Sequence, residues 1–317
     1  MSQLEGVGRV GWRPTPPQYL LDAYPGAALA FSMRRLNSAY TGPAIRIRRA
    51  SDNAEMDINF TDPSQVVVTN TNTITSYATG QLKDGVSESE IINFCGNSNG
   101  FIVRIYDQSG NGNHLNQTVA ANQFKLYWNA SMGAGYEKWL WMSKANSGGL
   151  TGKLPFASGT YNLNNGVPTD NNWTAFSITI GTNITSRLSA GTSTTYNTMT
   201  GHSFIDGGWR AGSKTKYVRS NGQYSAGGTD PLIVPLYGKP CMYTTLNSND
   251  NMSLRINDNN INLTSVLSSS NSGIFDQILG GLNYELILFN SDKSSVRTDI
   301  ENSILSYYST SWTSFKG

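Results

Sequence analysis

Between Trp173 and Ile256 the apolar segments are too short for anything but strands. Residues 173–180 (WTAFSITI), 203–207, 216–219, 232–236, 241–246 and 252–256 are each four to eight residues long, and polar turns separate them. Runs of four to eight β-branched and aromatic residues between such punctuation favour pleated, half-buried strands over helices. Residues 252–256, the turn Asn257-Asp-Asn-Asn260 and residues 261–263 read as a hairpin, because Asn and Asp tolerate the turn conformation. Composition agrees: charged residues make up only 14% and aromatics 11%. A long-helix protein would be richer in Ala, Glu, Lys and Leu.

The front half carries two further strand-and-corner units. In residues 44–49 (AIRIRR), Ile45 and Ile47 alternate with arginines and belong on a buried face. In residues 101–117 (FIVRIYDQSGNGNHLNQ) an alternating strand stops at a polar corner, where Gly110 and Gly112 can take positive φ. Two helices are expected. Residues 86–94 open on Ser87-Glu-Ser-Glu90, a capping-box pattern. Residues 294–308 space Val296, Ile300, Ile304 and Tyr308 by four, which puts them on one helix face. Pro14, Pro16 and Pro17 make residues 1–25 an extended N-terminal arm, since proline fixes φ and cannot join a central ladder. No Pro/Ser linker follows, so residues 26–317 are expected to form one domain.

Two blocks, LNSAYTGPAIRIRRASDNAEMDINF at 36–60 and FIVRIYDQSGNGNHLNQ at 101–117, resemble the catalytic-domain family of fungal α-L-arabinofuranosidase B and its relatives among phage virion proteins. The family pattern in the first block is approximately SAYTGPxxRVRRSSDNAExDI. The resemblance implies an all-β fold, a concanavalin/laminin-G-like antiparallel β-sandwich with the arm at its front and a C-terminal helix. It also implies a retaining glycosidase, which needs two carboxyl groups about 5–5.5 Å apart. In the resembling enzymes the nucleophile is a Glu in a D-x-E-N-like segment after a vicinal cysteine pair. This sequence has no vicinal cysteines and no Glu between Glu137 and Glu285. Its D-x-E-N string, Asp299-Ile-Glu-Asn302, falls in the expected C-terminal helix. The enzymes often carry a second cysteine where Gly100 stands, so Cys95 is expected to be a free buried thiol. Pairing of Cys95 with Cys241 stays open.

Among the central carboxylates, Asp206 stands out in Phe204-Ile-Asp-Gly-Gly-Trp209, between apolar residues and near an indole; it also fits a turn aspartate before two glycines. Asp276 lies near where the family's acid would fall. Sugar sites stack rings on aromatic faces edged by hydrogen-bonding side chains. Trp209, Arg210, Asp206, Tyr217 and Tyr224 are the carbohydrate-binding candidates, with Trp173 and Trp139 behind them; each aromatic also suits a sandwich core. A cation held by Asp107 in the 107–113 corner is a weak candidate, since only one of its oxygen ligands is charged. The two histidines, His114 and His202, have no zinc spacing, and no cofactor is expected.

Net charge is +2, which implies neither nucleic acid nor a membrane surface. No leader-like apolar region opens the chain and no run of about 18 apolar residues occurs. With the missing nucleophile segment, these features give the expectation of a non-catalytic phage virion surface protein. It would be made in the host cytoplasm, oligomeric in the particle, contact other virion proteins through its arm and bind host glycans. The alternatives are a retaining glycoside hydrolase of α-L-arabinofuranosidase type and a purely structural capsid component.

Overall fold

The computed structural model describes residues 19–61, 85–128, 131–132, 141–143, 153–155, 161–162, 172–180, 186–190, 202–207, 216–220, 223–227, 240–248, 251–256, 259–261, 274–275, 277–279 and 281–311. Every strand pairing among them is antiparallel, and the sheets form an all-β sandwich. A first sheet has the order Ala27–Ser32, Gly281–Phe289, Trp173–Ile180, Pro240–Ser248, Asn251–Ile256, Asn259–Ile261. A second runs Glu55–Ile58, Ile45–Arg49, Gly100–Ile105, Phe124–Trp128, Ser131–Met132, with Leu115–Asn116 also on Gly100–Ile105. A third runs Gln223–Gly227, Lys216–Ser220, His202–Gly207, Ser186–Ala190, Gln277–Leu279, Lys153–Pro155. The expected 252–263 hairpin is the Asn251–Ile256 and Asn259–Ile261 pair.

Ala27–Ser32 is buried at every position, so both of its faces are covered. The C-terminal helix Arg297–Ser311 covers one of them. Its Tyr308 hydroxyl donates to Glu285, and Glu285 sits opposite Ser32 in the sheet. Ile300, Ile304 and Tyr308 are buried, as the spacing of four predicts, and each isoleucine adds roughly 2 kcal/mol through burial. One apolar cluster runs through Phe31, Phe176 and Leu286 of the first sheet, Ile45, Ile47 and Ile102 of the second, and this helix. Within the expected arm, Leu20–Ala23 is a helical turn with Leu20 and Leu21 buried; residues 1–18 lie outside the described residues.

The helix Glu88–Cys95 begins where Ser87 predicts. The Ser87 hydroxyl accepts from the Glu90 N–H. Glu90 does not complete a capping box; its carboxylate accepts from the Asn59 N–H instead, tying the helix to the second sheet. Gly96 (φ 55°) ends the helix in a conformation that glycine adopts without steric cost. Cys95 is a free buried thiol, and burial pushes it up to about 11.

Candidate functional site

The 107–113 corner seals a sheet edge. Ala27–Ser32 is the outer strand of the first sheet, and the corner takes up its unpaired backbone groups. The Ala30 N–H donates to Asp107 Oδ1 (2.9 Å), and Ala30 O accepts from the Gln108 N–H (2.8 Å). The Gln108 side chain is fully buried. It donates to Ser32 O and Arg34 O and accepts from the Leu36 N–H. Asn111 Nδ2 reaches Ala27 O and Ala28 O. The remaining capacity of Asp107 goes to the Ser109 N–H, the Ser109 hydroxyl and the Asn113 N–H. The Asp107 carboxylate, the weak cation candidate, faces four donors, and a cation there would have to displace them. Gly110 and Gly112 take φ of 91° and 73°, as the turn requires.

Next to this corner lies a polar group built from both recognised blocks. Asp57 holds Arg46 through two 2.7 Å bonds and accepts the Tyr106 hydroxyl at 2.6 Å. The Arg46 hydrogen bonds hold the Asp57 carboxyl below the usual range, against its partial burial. His114 stacks edge-on against Tyr106 (4.9 Å), and its Nδ1 accepts from the Asp107 N–H at 3.1 Å. Burial lowers its pKa, so the ring is neutral with its proton on Nε2.

Neither described glutamate of the C-terminal part suits catalysis. Glu285 is fully buried and bonded to Arg34, Ser32 and Tyr308. Glu301, from the D-x-E-N string, is 1% exposed and pairs with Arg255 (3.2 Å) and Arg297 (3.9 Å). Its neighbour Asp299 is exposed.

The third sheet brings three expected site residues into register. Asp206 lies directly opposite Tyr217 on one side and Arg187 on the other. Two positions along from Tyr217, Arg219 lies opposite Tyr224. A period of two therefore places Arg187, Asp206, Tyr217, Arg219 and Tyr224 in adjoining cross-strand rows. Sequence patterning missed Arg187 and Arg219, because only the strand register shows which positions pair with Asp206 and Tyr224. Trp209, Arg210, Asp276 and Trp139 lie outside the described residues. Trp173 is 1% exposed and belongs to the core, not to a sugar platform.

This architecture has counterparts of known activity. Residues 19–134 match the family model "Alpha-L-arabinofuranosidase B, catalytic". The matched span contains both recognised blocks, the sealed edge and the Asp57 cluster. Alpha-L-arabinofuranosidase B of Emericella nidulans is 36% identical over 93 residues, covering 29% of this chain and 14% of that protein. The probable alpha-L-arabinofuranosidase B of Aspergillus flavus is 33% identical over 93 residues, covering 29% and 15%. The chain thus aligns with only about a seventh of the length of these curated relatives. The fold similarity reaches further. A GH54 α-L-arabinofuranosidase soaked with a cyclic sulfate inhibitor superposes with a TM-score of 0.58 over 90% of this chain and 63% of that one, at 15% identity. An arabinofuranosidase complexed with arabinofuranosyl-alpha-1,2-xylobiose gives 0.57 over 89% and 62%, also at 15% identity.

These matches overturn the expectation of a non-catalytic virion surface protein, and the virion location falls with it. The relatives are fungal arabinofuranosidases, and the matching family model is that of a catalytic domain. The missing central nucleophile segment is one local feature, set against a family match that extends over residues 19–134.

Proposed function

We propose that this chain is a glycoside hydrolase acting on α-L-arabinofuranosyl groups. The observation that carries the reading is the match of residues 19–134 to the arabinofuranosidase B catalytic family. The wider fold similarity supports it. The chemistry needs two carboxyl groups flanking the scissile bond, one ionised and one protonated. No glutamate stands between residues 137 and 285, and Glu285 is locked in a buried ion pair, so the proposal takes both groups from the aspartates of this central region. Asp206 is the proposed nucleophile. The register sets it opposite Arg187 on one strand and Tyr217 on the other, residue types that pair with carboxylates and stack on sugar rings. Asp276 is the proposed acid/base, with Tyr224, Trp209 and Arg210 supporting the substrate.

The test is release of 4-nitrophenol from 4-nitrophenyl α-L-arabinofuranoside. The wild-type chain is expected to release it. Asp206→Asn and Asp276→Asn are each expected to lower kcat by about a hundredfold or more. Azide is expected to restore turnover in a nucleophile variant (Asp206→Ala). A wild-type chain that releases nothing, or aspartate variants with full activity, would sink the assignment.

A further inference from the structure

The outer face of the second sheet and its surroundings hold two classes of cation. Arg46, Arg49 and Arg34 each grip a carboxylate with two bonds, on Asp57, Asp52 and Glu285. Their charge is spent. Arg48, Arg104 and Lys125 are held differently. Arg48 lies 4.8 Å over the Phe101 ring, with Nε bonded to Gln123 Oε1 and Nη1 to Asn53 Oδ1. Arg104 gives Nε to Asn116 Oδ1 at 2.6 Å and stacks on Tyr106. Lys125 Nζ sits 5.8 Å over the same Phe101 ring. Neutral amides and aromatic rings fix these cations in place without neutralising them. Among the described residues none of the three closes an ion pair with a carboxylate. Glu55 stands across from Arg48 in the register but makes no salt bridge to it. Asp57, whose field reaches Arg104, is already committed to Arg46 and Tyr106.

The register makes this one surface. Arg48 and Lys125 flank Phe101 on neighbouring strands, and Arg104 lies across from Arg46 further along the same pair of strands. Two arginines directly opposite each other repel, so the arrangement costs stability on its own. An anion between the rows would remove that cost. Among the described residues no hydrogen bond takes up the terminal nitrogens of Arg104 or the ammonium of Lys125, and a guanidinium fork fits a carboxylate in bidentate geometry.

We infer that this face binds a carboxylate-bearing polysaccharide, a chain of uronic acid units, through Arg48, Arg104 and Lys125. Flat, strand-spaced donors with only three unspent cations suit carboxylates repeated along a sugar chain. Nucleic acid would need a denser array of phosphate contacts. The surface lies on the second sheet, whereas the proposed hydrolytic row lies on the third.

Electrophoresis of the full chain through gels containing polygalacturonate or neutral xylan tests this. Polygalacturonate is expected to retard the wild type at low salt and to lose that effect at high salt. Arg104→Gln with Lys125→Glu is expected to weaken binding on the order of tenfold. Lys125→Glu alone, on an exposed side chain, keeps the test open if the double variant fails to fold. Hydrolysis of the uncharged 4-nitrophenyl arabinofuranoside is expected to be unchanged, so loss of this surface reads separately from loss of the hydrolase. No retardation, retardation equal in the variants, or equally strong retardation by single-stranded DNA would overturn the inference.

Discussion

Arg34 and Glu285, 251 positions apart, close a bidentate ion pair at 2.7 and 2.8 Å inside the protein. The pair joins the chain just past the first strand to the last strand of the same sheet. Tyr308 adds the C-terminal helix by donating to Glu285 at 2.9 Å, and the Tyr307 ring lies 4.2 Å from the guanidinium. Burial alone would lower the Arg34 pKa; the charge and hydrogen bonds of Glu285 outweigh it and raise it. Burial and the same carboxylate push the Tyr308 hydroxyl well above its usual value.

Removing one partner therefore strands a buried charge. Arg34→Met is expected to cost about 3–5 kcal/mol, measured as a shift in the urea midpoint at constant m. Arg34→Met with Glu285→Leu is expected to cost clearly less, since it leaves no buried charge unpaired and only the Tyr308 and Ser32 hydroxyls lose their acceptor. Equal losses in the single and double variants would refute this account.

The Asp107 clamp predicts a different pattern. Asp107→Asn keeps the shape but turns one acceptor oxygen into a donor amide facing N–H groups, at an expected cost of about 2 kcal/mol. Calcium added to the wild type is expected to leave the thermal midpoint in place. A calcium-dependent rise would restore a metal role to the corner.

His114 gives stability a pH dependence whose sign is fixed. Its folded pKa lies below the ordinary 6.5, mainly through burial, with Asp107 partly opposing. Between the folded value and 6.5 the unfolded chain binds more protons, so stability rises with pH there. The contribution is complete above 6.5 and lost as pH falls toward the folded pKa. His114→Asn supplies an oxygen acceptor for the Asp107 N–H and does not titrate. Denaturation at about pH 7.5 and about pH 5.5 is expected to show a smaller pH difference in this variant than in the wild type. An undiminished difference would acquit His114.

Cys95 and Gly100 stand ready for a cross-link. A Cβ built at Gly100 falls 2.7 Å from Cys95 Sγ, near the roughly 3 Å that separates Cβ from the partner sulfur in a disulfide. Gly100→Cys is expected to form a bridge from Cys95 to the introduced thiol under an oxidant, adding about 2 kcal/mol for so small a loop. The raised thiol pKa of Cys95 makes the reaction slow at neutral pH. Mass spectrometry without reduction would detect the bridge, and two free thiols after oxidation would exclude it. The neighbouring Tyr127 Cβ, 3.2 Å from the new atom, sets the limit on the gain.

Local patterns in the sequence foretold local structure. The alternation Ile45, Ile47 places the buried face of the second sheet, and Ile300, Ile304 and Tyr308 place the helix on its core. What stayed hidden depends on partners distant in the chain. Asp107 and Gln108 look like turn residues, and their role as edge cover appears only beside Ala30, 77 positions away from Asp107. Arg187 means nothing to Asp206 until two strands fall into register. The arginines of 46–49 look alike in sequence; their partners divide them into neutralised and available cations.

The sealed edge also bears on the order in which the protein is made. The sheet partner of Ala27–Ser32 is Gly281–Phe289, which a ribosome reaches only after most of the chain, on the order of ten to fifty seconds later. Through that interval one of the most apolar strands in the protein waits with its sheet neighbour still unmade. The 107–113 corner emerges in the first third of that wait. It can clip onto the strand's other edge and leave one open side, not two, for a neighbouring nascent chain to capture.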